Sequence, residues 1–245
     1  MSERRRHVET AMGTVFSLDL AADFDVTALA ATMEWLHRMD DLFSTYQPQS
    51  QISRLDRGEL GVAGCDPEVI EILDLCEQLR TQTAGYFDVR AGGSLDPSGV
   101  VKGWAIEGVH QRLVRAGSVR HYVNGGGDIR CTATADHPPW RFGIVDPLNS
   151  QRLLTAVAGR DFALATSGTA ERGAHIVDPY TGRAADGLLS LSLVGADLTY
   201  IDAYATAAFA MGSKARAWLS GLTGVEAMGV SADGLRWSTS AFPSA

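Results

Sequence analysis

The sequence predicts an α+β fold built as a single unit. The predicted strands come in groups and do not alternate strictly with helices, which favours α+β over a doubly wound parallel sheet. The chain has 245 residues, of which 45% are hydrophobic and 20% charged, with 26 Gly and 8 Pro. This composition is that of an ordinary globular protein and excludes disordered, collagen-like and coiled-coil classes. Because the sequence contains no repeat, low-complexity tract or linker, we predict one domain over residues 1–245.

The elements follow from the spacing of apolar residues along the chain. Apolar side chains two residues apart predict strands, and a spacing of three or four predicts helices. Pro67 suits the first turn of a helix, and the turn at 232–234 (Ala-Asp-Gly) predicts a hairpin near the end of the chain. The predicted elements are a strand over 14–20, helices over 26–43, 67–83 and 100–115, strands over 121–123, 128–132, 141–145, 153–157, 162–165 and 189–194, helices over 200–211 and 215–219, and the final hairpin.

Charge and cysteine content exclude several classes of protein. The net charge of −8 argues against a general nucleic-acid binder, which normally has a basic face. The three cysteines are an odd number without CxxC spacing, so they indicate neither a disulfide framework nor a cysteine zinc site. The first residues lack the apolar segment of a secretory signal, and no window of the sequence resembles a membrane span. We therefore expect a cytoplasmic protein.

Two glycine-containing segments are candidate ligand sites. The segment 124–128 (Asn-Gly-Gly-Gly-Asp) lacks the third glycine and the helix of a dinucleotide fingerprint, so it is either a turn that needs positive φ or a close approach to a ligand. The loop 96–99 leads directly into a helix, whose N-terminal N–H groups attract anions. Lys102, in the first turn, needs an anionic neighbour. A pyrophosphate would satisfy both features; alternatively, Ser98 caps the helix and Lys102 is solvated.

Further candidates lie in the second half of the chain. Asp202 and Thr206 are four residues apart on a predicted helix and therefore share one face. A carboxylate and a hydroxyl, together with a backbone carbonyl, suit Mg²⁺; alternatively, Asp202 interacts with the helix dipole. His175 is either a catalytic base or a structural histidine. In the first half, Tyr46 either packs on the surface or stacks on a planar ring.

Nine segments occur in the order of one family's motifs, and through them the chain resembles the ApbE family of FAD:protein FMN transferases. Each segment is modestly specific alone, but nine in the right order make coincidence improbable. The resemblance implies an ApbE-like (T-fold-like) α+β architecture that binds FAD and Mg²⁺. The segments are 12–14, 43–55, 84–88, 96–103, 125–129, 140–147, 165–168, 175–182 and 202–206.

The resemblance also implies a reaction and a role for each matching residue. Family members transfer the FMN moiety of FAD to a Thr or Ser hydroxyl of an acceptor protein and release AMP. The implied metal ligands are Gly99, through its carbonyl, Asp202 and Thr206, and the implied catalytic residues are His175 and Asp202. The implied FAD contacts are Met12, Tyr46, Tyr86, Phe87, Asp88, Asp96, Lys102 and Val177, with Tyr46 stacking on the isoalloxazine ring.

The chain departs from the family pattern in places. The segment between Asp88 and Asp96 is shorter than in many members, Asp56 stands where Asn is frequent, and Ala205 occupies a position where some members carry another metal-binding Asp. Many members are exported lipoproteins, whereas this sequence shows neither signal peptide nor lipid-acceptor Cys, so we expect either an intracellular enzyme or one whose true N-terminus was trimmed or misassigned. Two other functions suit the same residues: an FAD pyrophosphatase, in which water replaces the acceptor hydroxyl, and a non-catalytic FAD-binding module.

Overall fold

Residues 4–169 and 176–244, the part of the chain that the computed structural model describes, form six α-helices, two short 3₁₀-helices and twelve strands. The helices are α1 Val26–Phe43, α2 Gln51–Asp56, α3 Pro67–Gln82, α4 Ser98–Arg115, α5 Leu198–Met211 and α6 Ala215–Leu219. The strands are β1 Arg4–Ala11, β2 Thr14–Ala21, β3 Arg120–Gly125, β4 Asp128–Ala133, β5 Trp140–Asp146, β6 Asn149–Gly159, β7 Phe162–Gly168, β8 Val177–Asp178, β9 Arg183–Ala184, β10 Leu188–Gly195, β11 Glu226–Ser231 and β12 Arg236–Ser238.

Eight of these strands form one antiparallel sheet in the order β1-β2-β3-β4-β7-β10-β11-β12. The strands β5 and β6 pair separately, as do β8 and β9. The β1–β2 connection turns at Met12 and Gly13, whose φ values of 53° and 67° are both positive, as the tightest hairpin turn requires. Antiparallel strands together with segregated helices confirm the predicted α+β class.

The two faces of the sheet bury different layers. Ile129 and Cys131 of β4 face the β5–β6 hairpin, where they join Trp140 in a small hydrophobic core. Because side chains alternate along a strand, Asp128 and Arg130 face the opposite side, where α4 and α5 pack over the larger core. β4 therefore presents two charged side chains to the helices.

The helices α4 and α5 lie antiparallel and unusually close together. A Cβ atom on Gly103 would lie 2.6 Å from both the Leu198 carbonyl oxygen and the Asp202 Cβ, and one on Gly99 would lie 3.3 Å from the Thr206 Cγ2. Small residues at such positions let two backbones approach each other. The loop-to-helix segment and the Asp202 helix, which are distant in sequence, are thereby placed side by side.

The predicted helices are confirmed, with bounds that agree to within two residues. The strands after residue 120 and the final hairpin are also present, most of them longer than predicted. The sequence analysis missed β1, α2 and the short β8–β9 pair. In the described part of the chain, every helix is either too short or too polar to cross a membrane.

Candidate functional site

The candidate site lies at the end of the sheet where α4 begins. The β1–β2 turn and the β3–β4 turn are neighbours at this end, since a Cβ on Gly126 would lie 2.8 Å from the Thr14 Oγ1. Gly126 and Gly127 have φ values of 59° and 93°, and the Gly127 N–H donates to the Asn124 Oδ1 at 3.0 Å. The glycine segment is therefore a turn that needs positive φ, as one of the two interpretations held, and it also lies beside the candidate site.

Lys102 lies between two carboxylates. Its ammonium pairs with the Asp128 Oδ2, and it lies 3.5 Å from the oxygens of Asp202. The Asp128 side chain is 2% exposed and that of Lys102 21%. The alternative in which Lys102 is a solvated surface charge is therefore wrong, and its anionic neighbours come from β4 and α5.

Ser98 does not cap α4, so the alternative interpretation of this segment is wrong. Ser98 is the first residue of the helix, and Pro97 precedes it at the cap position. The Ser98 N–H donates to the Asp96 Oδ1 at 2.9 Å, so the carboxylate of Asp96 satisfies one free N–H at the helix start. Asp56 fixes the preceding loop, since its Oδ1 accepts the Leu95 N–H at 2.8 Å.

The three predicted metal ligands meet where α4 and α5 touch. An α-helix directs the Gly103 N–H towards the Gly99 carbonyl, and this N–H also donates to the Asp202 Oδ2 at 3.0 Å. The Thr206 Oγ1 lies 3.6 Å from the position of a Cβ on Gly99. Carbonyl, carboxylate and hydroxyl oxygens are ligands that Mg²⁺ accepts, so these residues fit such an ion.

The candidate metal ligands include a backbone carbonyl and a hydroxyl as well as a carboxylate. Among the described residues, no group of three or more His, Cys, Asp or Glu side chains is placed to hold a metal ion. Asp202 accepts the backbone N–H of α4, and Asp197 caps its own helix by accepting the Thr199 N–H at 2.8 Å. Asp197, and not Asp202, therefore caps α5, and the Asp202 carboxylate bonds across to α4.

An aromatic and basic cluster lies beside the start of α4. The Lys214 ammonium donates to the Tyr86 hydroxyl at 3.0 Å, and this hydrogen bond raises the pKa of Lys214. The rings of Tyr86 and Tyr180 are 4.8 Å apart, and the Tyr180 hydroxyl donates to the Ala84 carbonyl. Phe87 is buried, and its ring would contact a Cβ on Gly99, so this cluster continues into the α4–α5 contact.

The remaining residues predicted to contact FAD differ in how exposed they are. Tyr46 is 93% exposed in the loop after α1, and Asp88 is also exposed. Met12 is half-buried in the β1–β2 turn, and Val177 is half-buried in β8. No described contact joins these four side chains to the Lys102 cluster. His175 lies outside the described residues.

A buried ion pair between Arg130 and Glu107 connects the elements that carry the site. The Arg130 Nε donates to the Glu107 Oε2 at 3.0 Å, and the same oxygen accepts the Leu198 N–H at 3.0 Å. Burial raises the pKa of Glu107, and the charge of Arg130 opposes that rise. Glu107 thereby ties α4 to β4 and to the first turn of α5.

The sequence analysis missed several residues of this region. Asp128, Thr166, Tyr180 and Lys214 were not selected, although the first three lie in segments that carried the family resemblance. The Thr166 N–H donates to the Asp128 Oδ1 at 2.9 Å. A buried acid directly after three glycines was the signal that could have identified Asp128.

Comparison with known proteins tests the family resemblance. A family model described as the ApbE family matches residues 12–94 and 89–229, a range that includes every predicted site residue. The chain belongs to the ApbE family. This finding confirms the resemblance that the nine segments indicated.

Two curated relatives of this ApbE-family chain are named FAD:protein FMN transferase. The protein from Vibrio cholerae is 31% identical over 131 residues, which are 49% of this chain and 39% of the relative. The protein from Rhodobacter capsulatus is 32% identical over 143 residues, which are 55% of this chain and 27% of the relative. The chain thus spans well under half the length of the curated relatives that it matches.

Solved ApbE structures share the fold. The crystal structure of the ApbE protein from Thermotoga maritima has a TM-score of 0.88 at 20% identity, covering 99% of this chain and 100% of that one. The flavin transferase ApbE from Vibrio cholerae has a TM-score of 0.86 at 20% identity, covering 99% of each chain. These values confirm the predicted ApbE-like architecture.

Proposed function

We propose that this ApbE-family chain transfers the FMN moiety of FAD to a Thr or Ser hydroxyl of an acceptor protein, releases AMP and depends on Mg²⁺. The observation that carries the proposal is the convergence of Gly99, Asp202 and Thr206 beside the Lys102 ammonium. The names of the two curated relatives support the same activity. The cytoplasmic location stays a prediction.

The start of α4 is the proposed position of the FAD diphosphate. N-terminal N–H groups of a helix and a nearby ammonium attract phosphate oxygens, and Lys102 provides that ammonium within two turns of the helix start. Tyr46 offers an exposed ring for the flavin, and Tyr86 belongs to the aromatic cluster beside the helix. These positions support FAD as the substrate.

Gly99, Asp202 and Thr206 are the proposed ligands of the divalent cation. When it is bound, that cation supplies positive charge that neutralises oxygens of the diphosphate. Thr206 and Asp202 lie on the face of α5 that meets α4, so both can be oriented by helix packing. The choice of Mg²⁺ rests on the kind of oxygen ligands present.

The proposed reaction is a phosphoryl-type transfer. The acceptor hydroxyl oxygen forms a bond to the phosphorus of the FMN half, and the bond from that phosphorus to the bridging oxygen breaks. The bond's electron pair leaves with AMP. A Thr or Ser hydroxyl is a weak nucleophile at neutral pH, so its proton passes to a base, for which we propose His175 or Asp202.

Mass spectrometry of an acceptor tests this function. The chain is incubated with FAD, Mg²⁺ and a protein domain that an ApbE transferase flavinylates, with and without a chelator. We expect the acceptor mass to increase by one FMN unit and AMP to appear in equal amount, and both to disappear with the chelator. Asp202→Asn should lower the rate about 100-fold or more, because the site loses a charge that acts on the reacting phosphates.

Asp74→Asn is the matched control. Asp74 is exposed on α3, away from the start of α4, and we expect this variant to keep the wild-type rate. AMP released equally fast without an acceptor would replace the transferase by a pyrophosphatase. FAD bound without any AMP release would replace it by a binding module.

A further inference from the structure

The β5–β6 hairpin leaves part of one sheet face uncovered. In the described part of the chain, the small core under this hairpin contains side chains from β3, β4, β7 and β10 but none from β1 or β2. Asp19 of β2 lies opposite Tyr122, which packs against that core, so Val15 and Asp19, an even number of residues apart, share this face. Val8 of β1 lies opposite Ser17 on the same face. Val8 is 63% exposed and Val15 53%, so two apolar side chains are open to solvent here.

Three arginines on this face surround one carboxylate. The Nε atoms of Arg4 and Arg6 lie 2.7 Å and 3.9 Å from the oxygens of Asp19, whose side chain is 5% exposed. The guanidinium carbons of Arg120 and Arg4 lie 3.6 Å and 4.6 Å from the centre of the Trp140 ring. Burial lowers the pKa of Arg120, and the positive charge of Arg4 lowers it further. The face therefore carries a net positive charge in a chain whose net charge is −8.

The uncovered face continues to the candidate site. β1 and β2 are joined by the Met12–Gly13 turn, which lies beside the β3–β4 turn at the end of the sheet where α4 begins. Arg6 precedes Met12 by six residues, which is a distance of about 20 Å along a strand. One side of a protein–protein contact covers about 800 Å², which is about 30 Å across if it is round. A partner that contacts Arg6 and Val8 therefore also reaches the end of the sheet where the reaction is proposed.

We propose that this face is the docking surface for an acidic surface of the acceptor protein. We call it the arginine face and define it by Arg4, Arg6, Arg120, Val8 and Val15. The inference rests on the proposed function, because that function requires a second protein to bring a hydroxyl to this end of the sheet. Guanidiniums bind carboxylates strongly, and the two valines supply apolar contact area beside them.

The geometry favours a folded protein over a membrane as the occupant. Asp19 and the Trp140 ring hold the Arg4 guanidinium in one orientation, which suits carboxylates at fixed positions on a partner. No described contact joins the arginine face to the Lys102 cluster. Docking here therefore determines how tightly the acceptor binds and leaves the bond-breaking step unchanged.

Transfer kinetics with an acidic acceptor test the inference. The acceptor is a domain of negative net charge that an ApbE transferase flavinylates, and its concentration is varied at saturating FAD and Mg²⁺. We expect Arg6→Gln to raise the acceptor KM about threefold, the loss typical of an exposed charge pair, with kcat unchanged. Val8→Glu places a carboxylate among the arginines and should raise this KM about tenfold. Both side chains are more than half exposed, so we expect both variants to fold.

Two further variants serve as controls, and far-UV circular dichroism checks that every variant is folded. Arg6→Lys keeps the charge, so its acceptor KM should stay within about twofold of the wild type. Arg115→Gln removes an exposed arginine at the end of α4, which packs on the other face of the sheet, and should leave this KM unchanged. Raising the salt concentration from about 0.05 M to about 0.3 M should raise the KM of the wild type more than that of Arg6→Gln.

An acceptor KM that is unchanged in both Arg6→Gln and Val8→Glu would overturn the inference, as would an equal rise in Arg115→Gln or a fall of kcat in Arg6→Gln. If the wild type bound vesicles of phosphatidylcholine and phosphatidylserine and Arg6→Gln did not, with the acceptor KM unchanged, the occupant would be a membrane and not the acceptor. A wild type that transfers no flavin to the acceptor would contradict the proposed function itself, which is a different result from transfer that ignores the arginine face.

Discussion

Gly103 determines how closely α4 and α5 can pack. A Cβ at this position would lie 2.6 Å from the Leu198 carbonyl oxygen and 3.1 Å from the Asp202 Oδ2. The first of these atoms belongs to the backbone of α5 and cannot rotate away as a flexible side chain can. The hydrogen bond from the Gly103 N–H to Asp202 therefore requires a residue without a side chain at position 103.

We expect Gly103→Ala to destabilise the protein. Because the new Cβ would meet a backbone oxygen at 2.6 Å, we expect an overpacking cost in the upper part of the usual range, about 2–3 kcal/mol, which outweighs the roughly 1 kcal/mol by which alanine is the better helix former. Urea unfolding followed by circular dichroism should show a net loss of about 1–2 kcal/mol in the free energy of unfolding.

Gly92→Ala is the control at this scale. Gly92 lies in the loop before α4, and a Cβ there meets no atom within 4 Å. Its effect should stay within about 0.5 kcal/mol. Equal stability of the two variants would contradict the close packing of α4 on α5.

At the scale of elements, a chain of buried hydrogen bonds joins α4 to β3. The His110 Nδ1 is 2.9 Å from the His121 Nε2, and the His121 Nδ1 is 2.8 Å from the Ser118 Oγ. Burial lowers the pKa of His110 and of His121 to about 3 each, because the charged form is poorly solvated there. Both rings are therefore neutral in the folded protein near neutral pH.

We expect this pair to make the protein less stable in mild acid. Below pH 6.5 the unfolded chain binds protons on both histidines, whereas the folded protein does not until about pH 3, so the free energy of unfolding falls as the pH falls between these values. Each histidine contributes up to about 1.4 kcal/mol per pH unit in that window. Urea unfolding between pH 7.5 and 5.5 should record a loss on the order of 2 kcal/mol from the pair.

The comparison variant replaces His110 and His121 together by Gln. Its stability should depend less steeply on pH than that of the wild type, whatever its absolute stability. His137→Gln, in the loop between β4 and β5, changes a histidine outside the pair and serves as a control. A slope that is the same in the double variant and the wild type would assign the acid sensitivity to other groups.

The elements differ in how far the sequence could predict them. α1 and α3 were predicted closely because apolar spacing repeats over several turns. β1 has no such repeat in Arg-Arg-Arg-His-Val-Glu-Thr-Ala, and it is a strand because it pairs along its full length with β2. The six residues of α2 are too few for a periodic pattern to appear.

The site was predictable only where its residues are close in sequence or matched a motif. Asp202 and Thr206 were placed on one face because a helix repeats every 3.6 residues. The contact of Lys102 with Asp128 depends on α4 lying over β4, and that of Asp128 with Thr166 on β4 lying beside β7. Such pairings follow from tertiary packing, which no local pattern encodes.

At the scale of the whole molecule, one sheet separates two hydrophobic cores. The larger core lies under the helices, and the smaller one lies between β4, β7 and the β5–β6 hairpin. The strands of the two halves of the chain join in the middle of this sheet, where β4 pairs with β7. Unfolding of this sheet would therefore expose both cores to solvent.

We therefore expect the chain to unfold as one cooperative unit, which also tests the predicted single domain. The tryptophans report on both cores, because Trp140 lies in the smaller core and Trp104 packs against the larger one. Tryptophan fluorescence and far-UV circular dichroism should give the same midpoint in urea. Two separate transitions would indicate two units and would contradict the prediction.

The open sheet has two margins, and each is protected against recruiting a strand from another molecule. At one margin β1 carries three successive arginines, Arg4 to Arg6, so a second copy laid alongside would bring like charges together. At the other margin β12 has only three residues, too few to template a foreign strand. Charge and brevity are general means of preventing intermolecular β-aggregation. Both ends of the eight-stranded sheet are therefore poor templates for the addition of a further strand.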